Sequence, residues 1–556
     1  MKHLIFLLGL LLAPAASPKA TTAPTSPLPA VLTELLAPWN RTDGPGVSLA
    51  VSIDGTTVSR QVGMADLEQG RPIDDGTVFH AASLSKQFTA FAILLLEHDG
   101  RLSIEDPLVR HLPEAAHLGP ITLRQLLNHT SGLREQGSLL AAAGWRREDL
   151  VTDQQVLQML LAQRRGNFPP GTAYQYSNSG YSLLAEVVRR VSGQSLQAFC
   201  QQRIFDPLGM RRTRFQDSLA ALLPGRAQSY GPTASGHVRM PLNYAVAGPT
   251  GLKTTAEDLL RWAHNFTQPV VGDAALMARM REQGQVAGLA PGFYALGQER
   301  HPYRGLDTRI HGGRDAGFRS FLLRIPAADF AVAVLSNAAE VDAAALAYGV
   351  ADRVLADHPQ WQAATRAKSR PSRRQLRAYA GDYELFPALI FSITTDGRQL
   401  YFHTGQGSEP TALPAPSATE FELDPSSNLA LVFEADDSKP ASALGYRIGL
   451  NGTLTAPRIQ LQPFQPDPQR WPELTGRYDS AELQTSYWLQ IDAGQLVARH
   501  PRRPPIRLRP YQADTFAGSD GALQKVVFQR DAAGEVTGLR LDCPLAEGIE
   551  FVRNEP

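Results

Sequence analysis

Cysteine is scarce in this chain of 556 residues: there are two, at positions 200 and 543. That rules out a disulfide framework, and spacing this wide favours two separate buried thiols over one bridge. The thirteen histidines form no helical His-Glu-x-x-His motif and no Cys/His cluster, so neither a metal nor another cofactor is expected. Charge of one sign is not in excess, since Lys plus Arg and Asp plus Glu stand at 54 each. No global field therefore points to nucleic acid or to an anionic membrane. Long apolar runs are missing too. The N-terminal run Leu4 to Leu12 is far shorter than the roughly 20 residues that span a bilayer. It follows Lys2 and His3 and precedes Ala13-Pro14-Ala15, which reads as a secretory signal over residues 1–17. No cysteine stands near that cleavage site, which excludes lipoprotein processing. The expectation is a periplasmic or secreted protein without stable membrane insertion.

Lysine is scarce as well, with seven against 47 arginines. One of the seven closes Phe79-His80-Ala81-Ala82-Ser83-Leu84-Ser85-Lys86, at the head of an apolar run that stops at Asp99-Gly100. The pattern predicts a helix from Ser83, with Gly100 as its stop. Residues at i and i+3 share a helix face, so the Lys86 amine can lie beside the Ser83 hydroxyl. A serine hydroxyl becomes a useful nucleophile once a neighbouring base takes its proton. Chance alone would supply about 0.4 Ser-x-x-Lys matches here, so its partners decide the matter.

Two partners are present. Tyr174-Gln175-Tyr176-Ser177-Asn178-Ser179-Gly180-Tyr181 follows Pro169-Pro170-Gly171 and reads as a loop entering a helix. Tyr176 and Asn178 can present a phenol and an amide to one cleft. A tyrosine beside a lysine cation titrates below its usual value of about 10, so Tyr176 is expected to reach the phenolate and act as a base. The other partner is Ile310-His311-Gly312-Gly313-Arg314-Asp315-Ala316-Gly317-Phe318, leading into a strand. Its glycines let a substrate backbone approach and leave N–H groups free for an oxyanion. His311 can donate to a substrate carboxylate or carbonyl.

At this length two to four domains are expected. Val47, Leu49, Val51 and Ile53 alternate with smaller or polar residues, Asp54-Gly55 is a turn, and Thr56 to Val62 returns as a partner strand. Helical patterns dominate from Ser83 to about Met210. Strands return at Phe318 to Ile325 and Phe330 to Leu335, and a last helix runs from about Asp342 to Ala356. Strands at both ends with helices between predict an α+β domain over 30–357, an antiparallel sheet flanked by helices. Residues 358–374 read as a linker. Beyond it, Leu376 to Tyr383 is echoed by Leu474 to Tyr478, Gly397 to Leu400 by Gly494 to Leu496, and Phe433 by Phe528. The steady offset predicts two copies of an antiparallel β-barrel or sandwich, over 375–466 and 470–556.

Ser-x-x-Lys, Tyr-x-Asn and His-Gly-Gly, in that order, resemble the active site of the penicillin-recognising serine hydrolases. These include class C β-lactamases, D-alanyl-D-alanine carboxypeptidases, D-aminopeptidases and related esterases. Leu126 to Leu133, Ile204 to Met210 and Gly251 to Leu259 look like the same family, and in the last Thr255 and Asp258 have capping-box spacing. The resemblance implies that Ser83 is acylated and that Lys86 and Tyr176 share the base role, with the holder of the proton unassigned. It implies that Asn178 orients Lys86 and the substrate amide, and that His311 replaces the lysine of the family's Lys-Thr-Gly strand. The oxyanion hole would use the N–H groups of Ser83 and Arg314, with Arg314 departing from the usual small residue. Histidine is cationic only near or below pH 6.5 and is a weak carboxylate anchor. That leans away from a β-lactamase and towards a small peptide, amide or ester substrate, perhaps containing a D-amino acid. A catalytic domain followed by two β-domains is similar to the D-aminopeptidases. A β-lactamase or carboxylesterase of the same superfamily is the alternative. A non-catalytic β-lactam or cell-wall binder is a second, and the β-domains could contact cell-wall polymer in either case.

Overall fold

The computed structural model describes residues 28–554, except 219, 287–293, 363–369, 405–408, 425–428, 435–438, 449–452 and 462–463. The expected signal segment and the middle of the expected linker lie outside the described residues.

The central sheet is built from both ends of the first domain. Strands β1 (Val47–Ile53) and β2 (Thr56–Val62) form a hairpin over Asp54-Gly55. The sheet is completed by β3 (Glu299–Tyr303), β4 (Leu306–Asp315), β5 (Phe318–Ile325) and β6 (Phe330–Ser336), in the order β3-β4-β5-β6-β1-β2, all antiparallel. All of β6 and seven of the eight residues of β5 are buried, because helices cover both faces. On one face Leu32 and Leu36 of α1 (Leu28–Leu36) meet the odd-numbered apolar residues of β1 and the final helix, whose N-cap is Asp342. On the other face lies α2 (Ser85–His98), with twelve of its fourteen residues buried. An apolar surface on all sides is what a helix at the centre of a domain requires. The expected stop at Gly100 is present with φ +69°. At Thr255 the capping spacing is only half used. Thr255 Oγ1 accepts from Asp258 N, whereas the Asp258 carboxylate turns to Arg212 N and Thr213 Oγ1.

Two eight-stranded antiparallel units follow. The first contains strands from Gly381–Phe386 to Thr453–Ile459, and the second closes into a barrel from Gly476–Ser480 to Ala546–Asn554. A helix, Arg373–Tyr379, capped by Ser372, leads into the first unit, so ordered structure begins slightly before the end of the expected linker. The repeat is visible in single hydrogen bonds. Tyr383 Oη donates to Tyr379 O and Tyr478 Oη to Leu474 O, at an offset of 95 residues. Arg458 bonds Ala380 O and Ala441 O, and Arg553 bonds Thr475 O and Val536 O, at the same offset. The two units differ in how they attach. The first has an apolar core of its own. The second shares one continuous core with the helices around α2. Cys200 and Cys543 are separate buried thiols, and burial pushes the Cys543 thiol up to about 12. Among the described residues no helix is long and apolar enough to cross a membrane.

Candidate active site

Ser83 lies in a single 3-10 turn, Ala82–Leu84, that opens directly into α2. Ala82 holds φ +46°, a strained value for a residue with a side chain, so the nucleophile follows a forced bend. Lys86 is one turn on and fully enclosed, with Nζ 3.2 Å from Ser83 Oγ. Nζ also lies 2.7 Å from Asn178 Oδ1 and 2.9 Å from Pro249 O. Those two oxygens can only accept. A neutral amine has two N–H groups for them and one lone pair left, and the remaining direction is that of the Ser83 hydroxyl. Burial also lowers the Lys86 ammonium to about 7, with the Glu135 and Asp315 carboxylates opposing it. A lysine in this state is a base available near neutral pH.

Tyr176 arrives on the loop before α3 (Asn178–Ser192), with its ring centroid 4.7 Å from Lys86 Nζ. The expectation of an accessible phenolate is overturned. Burial holds the Tyr176 phenol well above 10, and its hydrogen bond with Ser83 only partly offsets this. Burial also lowers the lysine that was to stabilise the phenolate, so desolvation of the phenolate dominates. Burial thus favours the neutral phenol beside the nucleophile and the free amine at Lys86.

His311 requires a second correction. Its ring is buried, Nδ1 donates to Gly312 O at 2.7 Å, and Nε2 therefore accepts from Tyr294 Oη at 3.0 Å. Burial, with Lys86 nearby, lowers it to about 3. It is a neutral prop for Tyr294, with both ring nitrogens committed, and not a cationic anchor. Gly312 and Gly313 lie on β4 beyond Ile310, where that strand is paired with β5 alone, because β3 ends opposite Ile310. The free side packs against the Ser83 turn. A Cβ added at Gly313 would stand 2.2 Å from Ser320 Oγ and 2.5 Å from Ala81 O, so only glycine permits this approach. Arg314 is exposed at the cleft edge. The next residue, Asp315, is tied to His80 Nε2 at 2.8 Å, and His80 Nδ1 accepts from Lys253 Nζ at 3.0 Å. This buried chain anchors the end of β4 beside the Ser83 turn.

Asn178 differs from the expectation in part. Its Oδ1 faces Lys86, but its Nδ2 donates to Glu135 Oε1 at 2.8 Å, so that amide group is taken up within the protein. Sequence reasoning missed Glu135, Tyr294 and the Pro249 carbonyl. His129 stands within the stretch Leu126 to Leu133. His129 packs against Tyr176 and Tyr294, with ring centroids 4.3 and 4.5 Å apart, and forms one wall of the site. Tyr294 and Pro249 reach the site from segments distant in sequence, and Glu135 carries no spacing signal of its own. Among the described residues, no group of three or more His, Cys, Asp or Glu side chains is arranged to hold a metal.

Residues 30–355 match the family model described as Beta-lactamase. A D-aminopeptidase of Cereibacter sphaeroides is 28% identical over 538 residues, covering 92% of this chain and 96% of its own. The octameric penicillin-binding protein homologue from Pyrococcus abyssi superposes with a TM-score of 0.55 at 22% identity, over 77% of this chain and 99% of its own. The D-amino acid amidase from Ochrobactrum anthropi SV3 complexed with L-phenylalanine amide gives 0.51 at 22% identity, over 59% of this chain and 97% of its own. A serine activated by a buried lysine, beneath a glycine-lined strand edge in a domain of this architecture, accords with those matches: the chain belongs to the Beta-lactamase family and is a serine hydrolase.

Proposed function

We propose that the protein is an exported hydrolase that removes a D-amino acid from a short peptide, amide or ester through a Ser83 acyl-enzyme. The observation that carries this reading is the full-length alignment with D-aminopeptidases, which runs through both β-units and not the catalytic domain alone. The neutral His311 supports it, because a substrate with a permanent carboxylate meets no cation at that position. The N-terminal segment supports export to the periplasm or beyond, which N-terminal sequencing of the mature protein tests. The β-units, the first of which has an apolar core of its own, are the candidate contacts for cell-wall polymer.

In this mechanism Ser83 Oγ attacks the scissile carbonyl while its proton passes to the neutral Lys86 amine. The oxyanion is held by the N–H groups of Ser83 and Arg314. As the C–N or C–O bond breaks, a proton from Lys86 reaches the leaving group through the Tyr176 phenol, and the acyl group stays on Oγ. Water then gives its proton to Lys86 and attacks the acyl carbon. Oγ leaves and takes the proton back, and the acid is released.

The test compares release of p-nitroaniline from D-alanine and L-alanine p-nitroanilides, beside nitrocefin and p-nitrophenyl acetate, in wild type and Ser83→Ala. The expected result is Ser83-dependent turnover with the D anilide well ahead of the L. Nitrocefin as the best substrate would replace this reading with a β-lactamase, and p-nitrophenyl acetate alone with an esterase.

A further inference from the structure

We propose that Glu135 is the positioning residue of the active site, and that the second barrel sets it in place through Arg134 and the turn at 543–548. This rests on the Ser83 acyl-enzyme reading above. Glu135 is nearly enclosed and spends both carboxylate oxygens on one residue. Oε2 accepts from Asn178 N at 2.6 Å and Oε1 from Asn178 Nδ2 at 2.8 Å. An amide has one oxygen, so committing Nδ2 to Glu135 forces Oδ1 towards Lys86. Glu135 also does what Ser177 would do at the start of α3. Ser177 is the N-cap by position, yet its side chain makes no cap bond and its Oγ is buried without a partner. The carboxylate supplies the acceptor for the first turn instead.

Arg134 points the other way, into the barrel. Its Nε donates to Glu547 O at 2.9 Å, and one terminal nitrogen to Gly548 O at 2.8 Å. The other terminal nitrogen reaches Glu482 Oε2 at 2.8 Å and Gln163 Oε1 at 3.0 Å. The Glu135 backbone N–H donates to Leu545 O at 2.9 Å. Asn167 clamps the same turn from the catalytic side, donating to Leu545 O at 2.8 Å and accepting from Glu547 N at 2.9 Å. Two consecutive residues thus join the barrel to Lys86, through Glu135 and Asn178.

Lys86 is faced by Ser83 and the Tyr176 and Tyr181 rings, by Asn178 and Pro249 O, and by the neutral imidazoles of His129 and His311. Only the carboxylates Glu135 and Asp315 raise its pKa. Charge and reach at Glu135 can therefore be separated.

The experiment follows the rate of Ser83 labelling by a fluorophosphonate against pH, in the full-length protein and its variants. Glu135→Gln is expected to lower the plateau rate about 10- to 100-fold, the scale of a misplaced catalytic group, and to move the acid limb to lower pH. Glu135→Asp should lower the plateau with the limb unmoved, because the charge is kept and the reach is lost. Arg134→Lys should also lower the plateau with the limb unmoved. Asn167→Ala, which loosens the turn without touching the buried arginine, should do the same if Arg134→Lys does not fold. Wild-type plateau and limb in Glu135→Gln would overturn the role of Glu135. Wild-type rates in Asn167→Ala and any folded Arg134→Lys would overturn the coupling to the barrel. Failure of Ser83 to label in wild type would instead remove the acyl-enzyme reading beneath both.

Discussion

At Lys86 and Tyr176 the same burial acts in opposite directions, lowering the ammonium to about 7 and holding the phenol above its ordinary value. Desolvation disfavours whichever form is charged, so it yields a free amine and a neutral phenol. The sign for catalysis follows. The reactive lysine is unprotonated, so kcat/KM should rise with pH through about 7 and fall away below it. Tyr176→Phe should reduce kcat while leaving that acid limb in place, because the titrating group is Lys86. A pH–rate profile of the variant checks this, and loss of the limb would return the base role to the tyrosine. Ser83, Lys86, Tyr176 and Asn178 were legible because local periodicity and short motifs place them. The charge state of Tyr176 was not, because the rings of His129 and Tyr294 that pack on it come from segments distant in sequence.

The element that shapes the cleft is the outer part of β4, paired on one side and pressed against the Ser83 turn on the other. Its glycines are steric requirements. Gly313→Ala should push the strand from the Ser83 turn, cutting kcat at least tenfold and destabilising the fold by about 1–3 kcal/mol. Activity and thermal melting measured on one preparation check both, and an unchanged kcat would mean that the strand edge plays no part in the reaction. The strand at 47–53 was readable from its alternation, the turn from Asp54-Gly55, and the strands at 318–325 and 330–335 from their apolar character. Glu135 was not, because one carboxylate after Leu133-Arg134 has no pattern until the fold brings α3 against it.

Over the whole molecule, the two β-units are copies in sequence and in their tyrosine and arginine anchors but not in attachment. The second shares its core with the catalytic helices, with Tyr487 Oη bonded to Ala142 O and Arg503 to Trp145 O. The first has a separate core. Buried apolar surface common to two regions makes them unfold together. Calorimetry of the full chain should show two transitions, one for the catalytic domain with the second barrel and one for the first unit. Three transitions would contradict the shared core. The repeat itself was legible as a nearly steady offset of 95 to 97 residues, whereas the difference in attachment depends on which outer residues meet the helix Gln136–Ala142, and the repeat does not encode that.

The central claim is that Ser83 carries the acyl group during turnover. It is tested most directly by acid-quenching the full-length enzyme while it hydrolyses a D-alanyl ester, whose good leaving group makes deacylation the slow step, and mapping the adduct by mass spectrometry. The account predicts one D-alanyl group on the peptide containing Ser83, and neither adduct nor turnover in Ser83→Ala. An acyl group on another residue, or turnover near wild type in Ser83→Ala, would contradict it.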